Sequence, residues 1–127
     1  MDSITISSIM KDRKLASLGD AYINLVYSMA LTQLSGEPQG VKVSDRILSH
    51  AFKAAGLREY LGTRQSRKDF ANASEALLIE TYRKGLLTIN ECIKIITQRD
   101  DPADGITDLL KIAVERLVSS TRPDKFC

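Results

Sequence analysis

Two acidic residues stand where a helical chain would ordinarily bury apolar side chains. On a helical wheel at about 100° per residue, Asp20 falls between Ala16, Tyr27 and Leu31 instead of on a solvated face. Ser17, Asn24 and Ser28 continue the same narrow polar stripe. In the helix expected from Arg67 to Lys84, Glu75 falls between Leu78, Ile79 and Tyr82, with Asn72 on the other side of Ile79. An inward carboxylate without a partner costs roughly 3 kcal/mol or more. Two kinds of partner meet that need. One is an arginine or a helix N-terminus, as for most isolated acids in helices. The other is a divalent cation shared by both acids, which takes hard oxygen ligands and, when it is Mg²⁺, needs only one or two carboxylates plus water. Periodicity leaves both open.

The elements that must position these acids are all helical, since the segments between three prolines and seven glycines show a 3.6-residue rather than an alternating pattern. The first strong helix runs from about Lys11 to Leu34. Leu15, Leu18, Tyr22, Leu25, Val26 and Met29 share one arc of it, and Ile23, Tyr27 and Leu31 extend that arc almost all round, so this helix is expected in the middle of the fold. Ser35 to Gly40 is a loop by composition, and Ser44 caps a helix ending at Gly56 that buries Ile47, Leu48, Ala51, Phe52 and Ala55. Leu57 to Gly62 is a short apolar turn or helix, followed by a basic loop into the helix that carries Glu75. Ser66 with Asp69, and Thr88 with Glu91, have capping-box spacing, and Asp101-Pro102 starts a last amphipathic helix. Residues from Thr121 onward are expected to fray.

Leu15-Ala16-Ser17-Leu18-Gly19-Asp20-Ala21 resembles the signature helix of the ribonuclease III family, L-x-x-L-G-D-[AS], and Ala73-Ser74-Glu75-Ala76-Leu77-Leu78 resembles its second motif, A-x-E-A-L-[IL]. The similarity runs from about Lys14 to Lys84. It implies a ribonuclease III-like helical endonuclease domain spanning residues 1–127, without a double-stranded-RNA-binding domain. Asp20 and Glu75 are then the catalytic acids. They would hold Mg²⁺ or Mn²⁺ with Asn24 and Asn72 as neutral helpers, for cleavage of double-stranded RNA to 5′-phosphate and 3′-hydroxyl ends. Fuller members carry two more acids, at the positions of Ala16 and Asn72 here, so metal binding is expected to be weaker or different. The compact Mini-ribonuclease III branch is similar in lacking the extra signature acid, and compact archaeal ribonuclease III-like proteins are the nearest group. A non-catalytic dimeric relative that binds double-stranded RNA or serves in a ribonucleoprotein is the alternative. In an accidental match, Asp20 and Glu75 would lie far apart.

A glycine inside a helix costs about 1 kcal/mol relative to alanine, so Gly19 signals a close backbone approach. By its residues alone that approach suits a neighbouring helix or a second subunit equally. The resemblance places it at the two-fold axis of a homodimer, with Ala16, Gly19 and Ala21 at the interface. For RNA, Arg46, His50 and Lys53 recur at i, i+4 and i+7, and Arg58, Arg64, Arg67 and Lys68 cluster ahead of the Glu75 helix. These seven are the expected phosphate contacts, against the plainer reading of a solvated face with ordinary ion pairs.

Composition sets the outer limits. The 127 residues, 43% hydrophobic and 27% charged, suffice for one core, and a net charge of +2 makes any basic surface local. Cys92 and Cys127 form neither a disulfide lattice nor a metal motif, and no leader or membrane-spanning stretch is apparent, so a reducing cytoplasm is expected. There is no Gly-rich phosphate loop, no Ser-His-Asp set around the single histidine, and too few aromatics for a base-stacking platform.

Overall fold

The computed structural model describes residues 1–120, so the fraying expected from Thr121 lies outside the described residues. These form six helices: α1 (Ser3–Met10), α2 (Arg13–Ser35), α3 (Asp45–Ala54), α4 (Arg67–Arg83), α5 (Ile89–Thr97) and α6 (Pro102–Ser119). One 3₁₀ turn, Arg58–Tyr60, occupies the short apolar stretch, and no strand occurs among the described residues. The all-α expectation holds.

Local chemistry explains most boundaries. At the start of α4 the Asp69 N–H donates to Ser66 Oγ (3.1 Å) while the Ser66 N–H donates to the Asp69 carboxylate (2.8 Å). The Ser66 N–H, and after it the Ser66 hydroxyl donating to the same carboxylate (3.0 Å), hold the Asp69 carboxyl below the usual range. Thr88 and Glu91 repeat the arrangement at 3.0 and 2.9 Å ahead of α5. Gly36, with φ of 81°, ends α2 in the left-handed conformation that other residues adopt only at a cost.

Two features differ from expectation. Helix α1 carries a poor helical sequence of serine, threonine and isoleucine, and gives little periodic signal. It is capped by Asp2, whose carboxylate accepts the Thr5 N–H at 2.8 Å, and it is held by burying Ile6, Ile9 and Met10. The centre of the fold is α4 and not α2. Ten residues of α4 are buried, from Phe70 to Thr81, and α1, α2, α3 and α6 all pack on it. Its small residues Ala71, Ala73, Ser74 and Ala76 admit those neighbours closely. Helix α2 therefore has a buried side (Ala16, Gly19, Tyr22, Ile23, Val26, Tyr27, Ala30) and an outer side on which Leu18, Leu25 and Met29 are half exposed.

Gly19 makes its close approach within the chain. A Cβ built there would lie 2.1 Å from the Glu75 carbonyl oxygen and 2.5 Å from its carbon. Ala16 is buried too, in a cluster with Ile9 and Ala76. Both are covered by their own chain, so of the three positions expected at a dimer interface only Ala21 is exposed. The sequence could not make this distinction, because a glycine reports the closeness of a backbone and not whose backbone it is.

Gly19→Ala should accordingly lower stability by about 3 kcal/mol, the upper end for overpacking, since helix backbone must move to admit the methyl group. Gly40→Ala, with nothing within 4 Å of its Cβ position, is the control. Urea denaturation of the pair reads the difference; an unchanged midpoint for Gly19→Ala would contradict the α2–α4 backbone contact.

Candidate active site

Because α2 and α4 touch at Gly19 and Glu75, the next residue along α2, Asp20, is brought beside the Glu75 side chain. The two carboxyl groups face each other within hydrogen-bonding range in an open cleft of about 580 Å³ between α2, α4 and the N-terminal end of α3. This convergence excludes an accidental match that scatters the two acids. Glu75 is 5% exposed. Burial, the hydrogen bond and charge of Asp20, and the more distant charge of Asp45 push its pKa up to about 8, with Lys68 pulling modestly the other way. At neutral pH the pair therefore holds a proton, which relieves the cost of burying two adjacent negative charges.

Asn72 and Ser17 also line the cleft, and so does Ala16 at the expected position of a further acid. Three charged residues of the cleft carried no motif: Arg13, Lys42 and Asp45. Arg13 opens α2, Lys42 lies in the α2–α3 connection, and Asp45 opens α3. A turn or first-helical position has no wheel to place it on, so only tertiary structure could find them. Asp45 pairs with Lys68 at 3.5 Å.

Asn24 is tied to the site through Asp20: its Nδ2 donates to the Asp20 carboxylate (3.4 Å), while its Oδ1 accepts the Val43 N–H at 2.8 Å. Ser28 Oγ accepts the Val41 N–H (2.8 Å) and donates to the Val41 carbonyl (3.1 Å). The polar stripe on α2 thus holds the 41–43 segment against the helix, and Asn24 steadies Asp20.

The basic residues separate into groups. Lys68 belongs to the carboxylate cleft, and Arg46, His50, Lys53 and Arg67 line a second depression. Arg58 lies over the Phe70 ring at 5.7 Å, and Arg64 sits in the preceding loop with φ of 60°. These last two line neither hollow.

Residues 13–116 match the family described as ribonuclease III, and the chain belongs to that family. No curated protein matches it. The match extends past α4 through α5 and most of α6, where no motif was legible. Members of this family generally use divalent metals, act on double-stranded RNA and typically dimerise.

The donor set fits one hard divalent cation. Asp20 and Glu75 line one polar cleft side by side, where a cation would balance the charge of the pair. Among the described residues no group of three or more His, Cys, Asp or Glu side chains is gathered as a metal cage. An ion here would rely on two carboxylates and water, the pattern suited to Mg²⁺.

The raised pKa of Glu75 has a defined sign for stability. Between its ordinary value of 4.5 and about 8, the folded protein holds a proton that the unfolded chain has released. This group's contribution is therefore complete below the lower value and is lost as pH rises through the upper one. In metal-free buffer, Glu75→Gln, which stays neutral and hydrogen-bonding, should flatten the fall in Tm between about pH 5 and 8. Thermal unfolding across that range decides it, and parallel profiles for the two proteins would refute the shared proton.

Proposed function

We propose that this protein is a divalent-metal-dependent endoribonuclease that hydrolyses double-stranded RNA to 5′-phosphate and 3′-hydroxyl ends. The observation that supports it most is the meeting of Asp20 and Glu75 in one cleft of a ribonuclease III fold. Asp20 and Glu75 would hold Mg²⁺ or Mn²⁺, Glu75 after yielding its proton. When bound, the cation supplies charge neutralisation at the scissile phosphate and activation of the attacking water. The chain's own contribution is to bind and orient. Asn24 fixes Asp20, Asn72 offers a neutral amide at the cleft wall, and Arg13, Lys42 and Lys68 draw the phosphate backbone in. Because Glu75 must yield its proton to the cation, metal affinity should rise with pH.

The active form is a homodimer joined across the outer side of α2. Leu18, Ala21, Leu25 and Met29 form an exposed apolar stripe there, continued by Tyr82, whose ring lies 5.1 Å from that of Tyr22. A second copy of the chain is the occupant consistent with the family's habit. The cytoplasm is the site of action, consistent with Cys92 as a buried free thiol and with the absence, among the described residues, of a helix long and apolar enough to cross a membrane.

Labelled duplex RNA incubated with purified protein and Mg²⁺ or Mn²⁺ should be cut, and EDTA should stop cleavage. Asp20→Asn should slow it by at least about 100-fold, since even changes behind the metal ligands cost 10–100-fold. Cleavage that survives in Asp20→Asn would place the chemistry elsewhere, and duplex binding without cleavage would favour the non-catalytic alternative. Sedimentation should show a dimer at micromolar concentration and a monomer for Leu25→Asp; a monomeric wild type would remove the two-fold arrangement.

A further inference from the structure

Across Ser44 from the carboxylate cleft lies a second depression of about 590 Å³. Arg46, His50 and Lys53 of α3 and Arg67 at the start of α4 line it, and no acidic side chain does. None of these four residues forms an ion pair with a described acid, whereas the neighbouring Lys68 is paired with Asp45. Lys53 is steadied with its ammonium group 5.6 Å from the centre of the Phe70 ring. Positive charge is thus gathered here without local neutralisation.

An independent feature is Ser49. It is 3% exposed and lines the same depression, yet its hydroxyl makes no hydrogen bond to any described residue. A helical serine commonly bonds the carbonyl one turn earlier, as Ser74 Oγ does to Phe70 at 3.0 Å. No fully enclosed side-chain oxygen or nitrogen among the described residues lacks a partner, so the Ser49 oxygen keeps some accessible surface, and Ser49 lines the depression. A hydroxyl free to donate, in a hollow lined by arginine, lysine and histidine, has the chemistry of an anion site. Arginine forks and a hydroxyl donor suit the several oxygens of a phosphate group.

We propose that this depression is a phosphate-binding subsite, with Ser49 Oγ donating to a phosphate oxygen and Arg46 and Arg67 supplying the charge-assisted bonds. Its ligand is one phosphate group of an RNA strand that also reaches the carboxylate cleft, an assignment that rests on the RNA-hydrolase reading. The group is either an internal phosphodiester or a phosphomonoester at the strand's end.

His50 is the only histidine of the chain, so its ring signals in proton–carbon NMR report on this hollow without ambiguity. Metal-free protein is titrated with inorganic phosphate, with a duplex RNA bearing 5′ phosphates, and with the same duplex bearing 5′ hydroxyls. Duplex binding is followed separately by fluorescence anisotropy. A shift with both duplexes supports an internal phosphodiester; a shift with phosphate and the phosphorylated duplex alone supports a terminal phosphomonoester. In either case Ser49→Ala should weaken the RNA affinity read at His50 about tenfold, the scale of one hydrogen bond to a charged group. Arg46→Ala, a change on an exposed side chain, should do at least as much. Duplex that binds without moving the His50 signals, or Ser49→Ala and Arg46→Ala that titrate as the wild type does, overturns the subsite and leaves the RNA-hydrolase reading standing. A His50 shift with phosphate from a protein that binds no duplex overturns RNA as the source of the phosphate and counts against that reading itself.

Discussion

Where α2 crosses α4, the backbone of residue 19 lies against the carbonyl of Glu75, closer than any side chain at that position would permit. Helices with ordinary residues at their contact keep their axes about 8–10 Å apart. Glycine here, with Ala16 and Ala76 beside it, removes the spacer. The tight crossing and the chemistry are then one fact, because the next residue on α2 is Asp20 and the residue touched on α4 is Glu75. The packing that stabilises the centre of the domain forces two acids together on the wall of one cleft. The repulsion is discharged by a proton held on Glu75, and a group held away from its ordinary ionisation state is what a binding or catalytic cleft requires.

The same crossing also encloses position 16. At position 16, where fuller members of the family carry a carboxylate, the alanine side chain is packed with Ile9 of α1 and Ala76 of α4. Ala16 also lines the cleft, so the position has one side in the packing and one side on the site. Asp45 keeps an additional negative charge at the cleft rim, balanced by Lys68, which adjusts the electrostatics of the pair without entering it.

What could be read from the sequence follows from how local each signal is. Asp20 and Glu75 were legible because an acid on the apolar side of a helix violates a period of 3.6 residues. The capping boxes were legible because both partners lie within one turn. Helix α1 was not, since its serine, threonine and isoleucine residues favour no helix by themselves and its stability comes from the distant surfaces it covers. The role of α2 was overestimated for a related reason. Leu18, Leu25 and Met29 make the helix apolar on nearly all sides, and nothing in the chain states which side α4 takes. Arg13, Lys42 and Asp45 reach the cleft from helix starts and a connection, where periodicity carries no directional information. Asn24 is bonded to Asp20 as its spacing of one turn suggests, but its bond to the Val43 N–H is to a backbone partner that no side-chain pattern reveals.

Asn24 and Ser28 fasten residues 41–43 to the flank of α2 by three hydrogen bonds, so that one helix bears Asp20 and also anchors the connection that supplies Lys42 and leads to Asp45. The spacing between Asp20 and Lys42 is therefore set within one helix and the strap tied to it, whereas the gap from Asp20 to Glu75 is set separately, by the packing of α2 on α4 at Gly19, at Ala16 against Ala76 and at the Tyr22–Tyr82 ring pair.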